Sequence, residues 1–270
     1  MVPTPLDPPP LPLGRALRRF ALDVLIVSVL FALLSLLGGV GWGVWRGVMI
    51  ALHGEASGQD AHAIMAAVGQ PGPLATMLLS IVGVGGTALI ALLWRAPPRA
   101  SERQVARQAM RLPATWLLAL MAGSVAILCS IVVGQVAASM QEQLDPSNMS
   151  LVRGTLGRYP ALLVLFAVIL APIYEEVLFR RVLFRRLWQD GWPILGMAAS
   201  GLLFAFMHEP PLLGGKSLAA ALPLWAVYTA MGIVFAWVYR RTGSLAASIL
   251  AHGLNNAFAI GMMLAFGIST

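Results

Sequence analysis

Residues 159–186 read YPALLVLFAVILAPIYEEVLFRRVLFRR, an apolar run that ends in two adjacent glutamates and then two pairs of arginines. The apolar part, Tyr159–Phe179, is close to the ~20 residues that cross ~30 Å of hydrocarbon as helix. Two carboxylates at the end of such a run are costly, roughly 2.5–3.5 kcal/mol each on insertion scales, and so require a reason. The arginines beyond them mark one side of a membrane.

The rest of the chain repeats this pattern. The 270 residues are 59% hydrophobic and 11% charged, with a mean hydropathy of +0.81. A soluble fold of this size has too little core to hide that much apolar surface. Further apolar stretches run over residues 20–44, 73–94, 113–138, 192–208, 218–239 and 245–268. The expected fold class is therefore all-α: a polytopic transmembrane helical bundle of about seven spans, six to eight allowing for a further or reentrant segment in 46–72. Three parts are expected: a disordered proline-rich cytoplasmic tail over 1–19, N-terminal transmembrane helices over 20–150, and a core carrying the chemistry over 151–270. The arginines ahead of Phe20 imitate a signal peptide, but the following run is too long and has no clear small-residue cleavage site, so a retained first span is expected.

The net charge of +7 comes almost wholly from arginine, because Lys216 is the only lysine. Arginines cluster at 15–19, 95–111, 180–186 and 240–241, in every second connection, whereas Glu55, Asp60, Glu142, Asp145 and Glu209 fall in the alternate ones. The positive-inside rule then sets the N-terminus in the cytoplasm and the C-terminus outside. Aromatic residues are sparse among the arginines, which argues against a nucleic-acid partner. The one cysteine, Cys129, excludes an intramolecular disulfide. His53 and His62 in the weakly apolar 46–72 stretch read as solvated loop residues, and Asp23 as interfacial.

Three motifs concentrate the remaining ionisable groups: Glu175–Glu176–xxx–Arg180, Phe204–xxx–His208 and His252–xxx–Asn256. Glu176 and Arg180 stand at i and i+4 with the acid first, the favoured order for a helical ion pair. Glu175 lies ~100° around the helix and is freer to act as a base or acid. His252 and Asn256 share one helix face, and Phe204 is placed to pack beneath His208. Depth is the test of convergence. Glu175 and His208 each lie ~16 residues from the turn at Asp190–Trp192, ~24 Å, but His252 lies only ~13 Å from its own turn. The depths agree if Arg180–Trp188 continues as helix ~10 Å below the apolar core, with its arginines snorkelling to the headgroups. Plainer roles are an interfacial ion-pair cluster for the glutamates, an interfacial histidine at 208, and interhelical hydrogen bonding for His252 and Asn256.

The three motifs, in this order, resemble those of the CPBP family: type-2 CAAX prenyl endopeptidases and their bacterial relatives, including bacteriocin-processing and immunity proteins. The resemblance covers roughly residues 155–268. It implies a glutamate-dependent intramembrane endopeptidase acting on a membrane-associated or lipidated peptide. In that reading Glu175 with His208 activates water, His252 and Asn256 stabilise the oxyanion, and Glu176, Arg180 and Phe204 support the site. No cofactor is favoured. A zinc-dependent version would use Glu175, His208 and His252 as ligands. A non-catalytic immunity or scaffold protein and a proton-coupled transporter are the other readings. The expected partners are membrane lipid and a peptide or lipidated protein, in a bacterial inner membrane, with the oligomeric state open.

Overall fold

The computed structural model describes residues 8–53, 66–139, 146–211 and 216–266. Among them lie six helices long and apolar enough to span a bilayer: α1 (Leu13–Leu52), α2 (Pro73–Arg95), α4 (Pro113–Ser139), α6 (Pro160–Gln189), α8 (Leu218–Thr242) and α9 (Leu245–Phe266). A shorter apolar helix, α7 (Pro193–His208), lies between α6 and α8. Two short helices, α3 (Ala100–Met110) and α5 (Met149–Leu156), join spans. The all-α polytopic bundle read from the sequence is the observed architecture. The acidic positions Glu55, Asp60, Glu142 and Asp145, together with His62 and the rest of 54–65, lie outside the described residues.

Several local expectations are corrected. Helix α1 begins at Leu13 rather than Phe20, so Leu13–Arg19 are helix and not tail. The prolines before it are tied down: the Leu11 amide donates to the Asp190 carbonyl (2.9 Å), and Trp192 Nε1 donates to the Leu11 carbonyl (2.9 Å). Gly191 makes that contact feasible, with φ +83° and Pro10 Cα only 2.3 Å from where a Cβ would stand. Residues 1–7 of the expected tail lie outside the described residues. His53 is exposed, as read, and its Nδ1 lies 2.7 Å from the Met49 carbonyl.

Arginines of α6 do not snorkel. Arg181 and Arg185 are buried, and both pair with Glu102 of α3. Asp23 is also buried rather than interfacial, between Arg95 (2.7 Å) and Arg186. Arg19 pairs with Asp190 at 2.7 Å. These bonds join α1, α2, α3 and α6, so the arginine clusters gather at one end of the bundle. A charge drawn away from water is tolerated there because each has an opposite charge in reach.

Small residues set the helix spacing, as they do where lipid supplies no hydrophobic drive. A Cβ on Gly232 of α8 would stand 2.5 Å from Gly201 Cα of α7. A Cβ on Gly123 of α4 would stand 3.1 Å from the Ala251 carbonyl of α9. Ala119, Ala122 and Ala126 of α4 share a buried cluster with Phe235 and Ala251, so the first half of the chain helps to enclose the second. Gly83 and Gly86 of α2 likewise meet Ser35 and Leu34 of α1.

Lengths explain depth. Helix α6 is 30 residues, about 45 Å, and outruns the hydrocarbon core. Helix α7 has 16 residues, about 24 Å, and stops short of the far surface. Its last residue, His208, therefore lies at the level of Glu175, about 24 Å along α7 from the α6–α7 turn. Gly232→Leu is expected to destabilise the protein by about 1–3 kcal/mol through overpacking against Gly201, read as a lower unfolding temperature in detergent. Gly39→Leu, at a position with open space, is expected to leave that temperature unchanged.

Candidate active site

The site is built on α6, whose backbone departs from α geometry on both sides of the glutamates. Wider π-helical turns occupy Leu165–Leu170 and Val177–Phe184, and they flank the α-helical Ala171–Glu176. Such turns recur at functional sites. Pro172 supplies a cause for the first: it has no N–H and crowds the preceding turn. A carbonyl of that turn is satisfied from another helix instead, because Asn256 Nδ2 donates to the Ala167 carbonyl at 2.8 Å. Gly253, one turn earlier on α9, lets that helix approach; its Cβ would stand 2.7 Å from the Val168 carbonyl.

Glu176 is fully buried and its two oxygens serve three partners. Oε1 lies 3.0 Å from His252 Nδ1, and Oε2 lies 2.5 Å from Ser248 Oγ and 3.1 Å from Arg180 Nε. The arginine contact is an ion pair rather than a well-aimed hydrogen bond, and no Arg180 nitrogen meets hydrogen-bond geometry with a described partner. Its guanidinium sits instead among aromatic rings, 4.7 Å from the Phe204 centroid and 5.5 Å from that of Phe235. Cation–π attraction is strongest where water is excluded, as here.

Glu175 points about 100° around the helix from Glu176. Its Oε2 stands 3.7 Å from His208 Nε2 and 3.8 Å from His252 Nε2. The far nitrogens of both rings are committed: His252 Nδ1 to Glu176, and His208 Nδ1 to the Phe204 carbonyl at 2.9 Å. A neutral imidazole that donates from Nδ1 presents a lone pair at Nε2. His208 therefore turns an acceptor toward the Glu175 carboxylate, and His252 turns a lone pair there when neutral and a donor when it is the imidazolium. Phe204 wedges between the rings, 4.3 Å from His208 and 5.7 Å from His252, while Tyr228 stacks on His208 and Phe235 on His252.

The structure thus brings Glu175, Glu176, Arg180, Phe204, His208 and His252 together. Asn256 adjoins them, with one amide proton committed to Ala167 and its Oδ1 accepting from Asn255 Nδ2 (3.2 Å). Sequence reasoning missed Ser248 and Tyr228. Ser248, His252 and Asn256 recur every four residues on α9, a polar stripe in an apolar helix that could have been read. Tyr174 and Trp225 make hydrogen bonds nearby, to Ser80 Oγ (3.0 Å) and the Glu209 carbonyl (2.8 Å).

Zinc would need three donors at tetrahedral spacing. Bonds of about 2.0–2.1 Å put tetrahedral ligands about 3.3 Å apart, less than the separations from Glu175 to the two histidines. Among the described residues no group of three His, Cys, Asp or Glu is gathered to hold a metal.

A helical membrane protein with one carboxylate set between two oriented imidazoles is the class that fold and site define. Residues 157–258 match the family described as type II CAAX prenyl endopeptidase, Rce1-like. Among curated relatives, it is 31% identical over 103 residues to YdiL of Bacillus subtilis, whose name marks it a candidate membrane peptidase (38% of each chain). It is 27% identical over 140 residues to the membrane-embedded CAAX protease MroQ of Staphylococcus aureus (50% of this chain, 51% of that one). A Lactococcus lactis protein, YaiH, is 32% identical over 99 residues (37% and 36%). The matched stretch thus spans about half or less of these relatives' lengths. No solved structure matches.

Replacing Arg180 tests the buried charge. Arg180→Met leaves Glu176 uncompensated and is expected to cost about 3–5 kcal/mol of stability. Glu176→Gln with Arg180→Met is expected to recover most of that loss, since no buried charge then remains. Unfolding followed by circular dichroism checks both; a double variant no more stable than the single one would contradict the assignment.

Proposed function

We propose that this chain is an intramembrane endopeptidase that hydrolyses a peptide bond in a membrane-associated or lipidated peptide, by a metal-free mechanism. The observation that carries the reading is the placement of Glu175 between the Nε2 atoms of His208 and His252, at separations too long for direct hydrogen bonds. Such separations suit one bridging water.

In this mechanism Glu175 takes a proton from the water, whose oxygen attacks the carbonyl carbon of the substrate. His208 holds the water in line, its ring fixed by the Phe204 carbonyl. His252 acts here as an imidazolium, its Nδ1–H held by the Glu176 carboxylate, and donates its Nε2 proton as a hydrogen bond to the developing oxyanion. Asn256 contributes its remaining amide proton to the same oxygen. Preorganised donors of this kind commonly supply the largest single contribution in acyl transfer. Glu175 then returns its proton to the leaving nitrogen as the C–N bond breaks, giving a carboxylate and an amine. Glu175 lies midway along α6, so the substrate must reach membrane depth. That favours an apolar or lipid-bearing segment. The names of YdiL and MroQ support the peptidase class. The arginine end is assigned to the cytoplasmic face of a bacterial inner membrane by its charge.

Cleavage of a library of membrane-inserted peptides by purified protein tests the proposal. Glu175→Gln and His208→Ala are expected to lower the rate by about 10²–10⁴-fold. Asn256→Ala and His252→Ala are expected to lose about 10²–10³-fold. Rates that survive all four changes would sink the mechanism. Activity abolished by exhaustive chelation and restored by zinc would replace it with the metal-dependent version.

A further inference from the structure

At the arginine end, the foot of α6, the α2–α3 loop, α3 and the α8–α9 turn enclose a cavity of about 840 Å³. Part of its wall is apolar, formed by Leu92, Val177, Trp188 and Leu245. The remainder is cationic, with Arg19, Arg99, Arg103, Arg181 and Arg185 set against only two carboxylates, Glu102 and Asp190. Glu102 is shared by Arg181 and Arg185, and Asp190 is taken by Arg19. Among the described residues, Arg99 and Arg103 therefore have no carboxylate partner, and the cavity keeps an excess of positive charge.

Its position fixes the kind of ligand that can meet it. Helix α3 joins α2, which ends at Arg95, to α4, which starts at Pro113, through linkers of a few residues. It is therefore confined to the plane in which two spans leave the hydrocarbon. Arg99, Arg103, Arg107 and Arg111 follow at four-residue spacing and all are exposed, giving one charged edge along this helix. Next to Leu92, the exposed Leu93 and Trp94 lead from the cavity to the surface of α2 that faces lipid. Trp at such a level is typical of the membrane interface.

We propose that this cavity binds an anionic phospholipid of the leaflet on the arginine side. The phosphate sits against Arg99 and Arg103, whose planar guanidinium groups suit bidentate contact with phosphate oxygens. The upper acyl chains lie along the Leu92–Trp94 wall and continue into the bilayer. The volume admits a headgroup and the start of its chains. A free anion would use the arginines but gain nothing from the apolar wall, which is why a lipid is the better fit.

The test uses the full chain in detergent and radiolabelled dioleoyl phosphatidylglycerol. Saturable binding of a single lipid per chain is expected, displaced by unlabelled phosphatidylglycerol but not by phosphatidylcholine. Arg99→Gln with Arg103→Gln is expected to weaken it about 30-fold, at about fivefold per arginine. Arg107→Gln with Arg111→Gln, on the same edge but outside the cavity, is expected to change it far less. All four positions are exposed, and unchanged unfolding temperatures verify that the variants fold. Binding that does not saturate, equal displacement by phosphatidylcholine, or equal losses in both double variants would overturn the proposal. Displacement by inorganic phosphate as effective as by the lipid would assign the site to a free anion instead.

Discussion

The Glu176 carboxylate, sealed from solvent in the middle of a bundle, imposes the constraint on which the arrangement around it depends. An ionised carboxylate at that depth must be compensated within a few ångströms. Arg180 comes from the same helix, while His252 and Ser248 reach it from α9. The charge therefore does more than lock a side chain. It docks α9 onto α6 at one register, because Ser248 and His252 both meet it and stand one turn apart. It also decides which nitrogen of His252 faces Glu175. Without a carboxylate at Nδ1 the imidazole could present either nitrogen, and an oriented acceptor or donor at Nε2 would be lost.

The backbone supplies a second tie between the same helices. Pro172 withholds a hydrogen bond inside α6, and Asn256 of α9 satisfies a carbonyl in that turn. Gly253 removes the Cβ that would keep the helices apart. Asn256 thus has a structural duty as well as the one proposed for catalysis, and its amide can serve both because it carries two protons. Loss of function at Asn256 alone cannot separate these duties; stability measured beside activity does.

Much of this was legible in the sequence, for identifiable reasons. Arginine spacing marks alternate membrane faces because charge is excluded from hydrocarbon. The i, i+4 relation of Glu176 and Arg180 needs only helical periodicity. The depth of His208 follows once α6 is allowed to continue past Phe179, and that helix does run to Gln189. What escaped depends on partners distant along the chain. Arg181 and Arg185 look like snorkelling residues until Glu102 of α3 is placed beside them. Asp23 looks interfacial until Arg95 and Arg186 close over it. Ser248 looks like one more small packing residue until the carboxylate it faces is located on another helix. The π-helical turns have no simple signature beyond Pro172, because they balance backbone strain against contacts from α7 and α9.

Arg180 and Arg181 show how the two ends of the molecule are connected. They are neighbours on α6, yet point about a quarter-turn apart. Arg180 enters the aromatic frame around the site. Arg181 reaches the carbonyls of Ala96 and Pro97, Glu102 and the Tyr239 hydroxyl. The α2–α3 loop is thereby fastened to the turn that directly follows Glu176. Any ligand that presses on that loop acts on a short, stiff lever, since the Val177–Phe184 turn is almost wholly buried and has little room to yield. The carboxylates are thus held from both sides: by the buried Val177–Phe184 turn toward the charged end of α6, and by the Asn256–Ala167 bond in its apolar run.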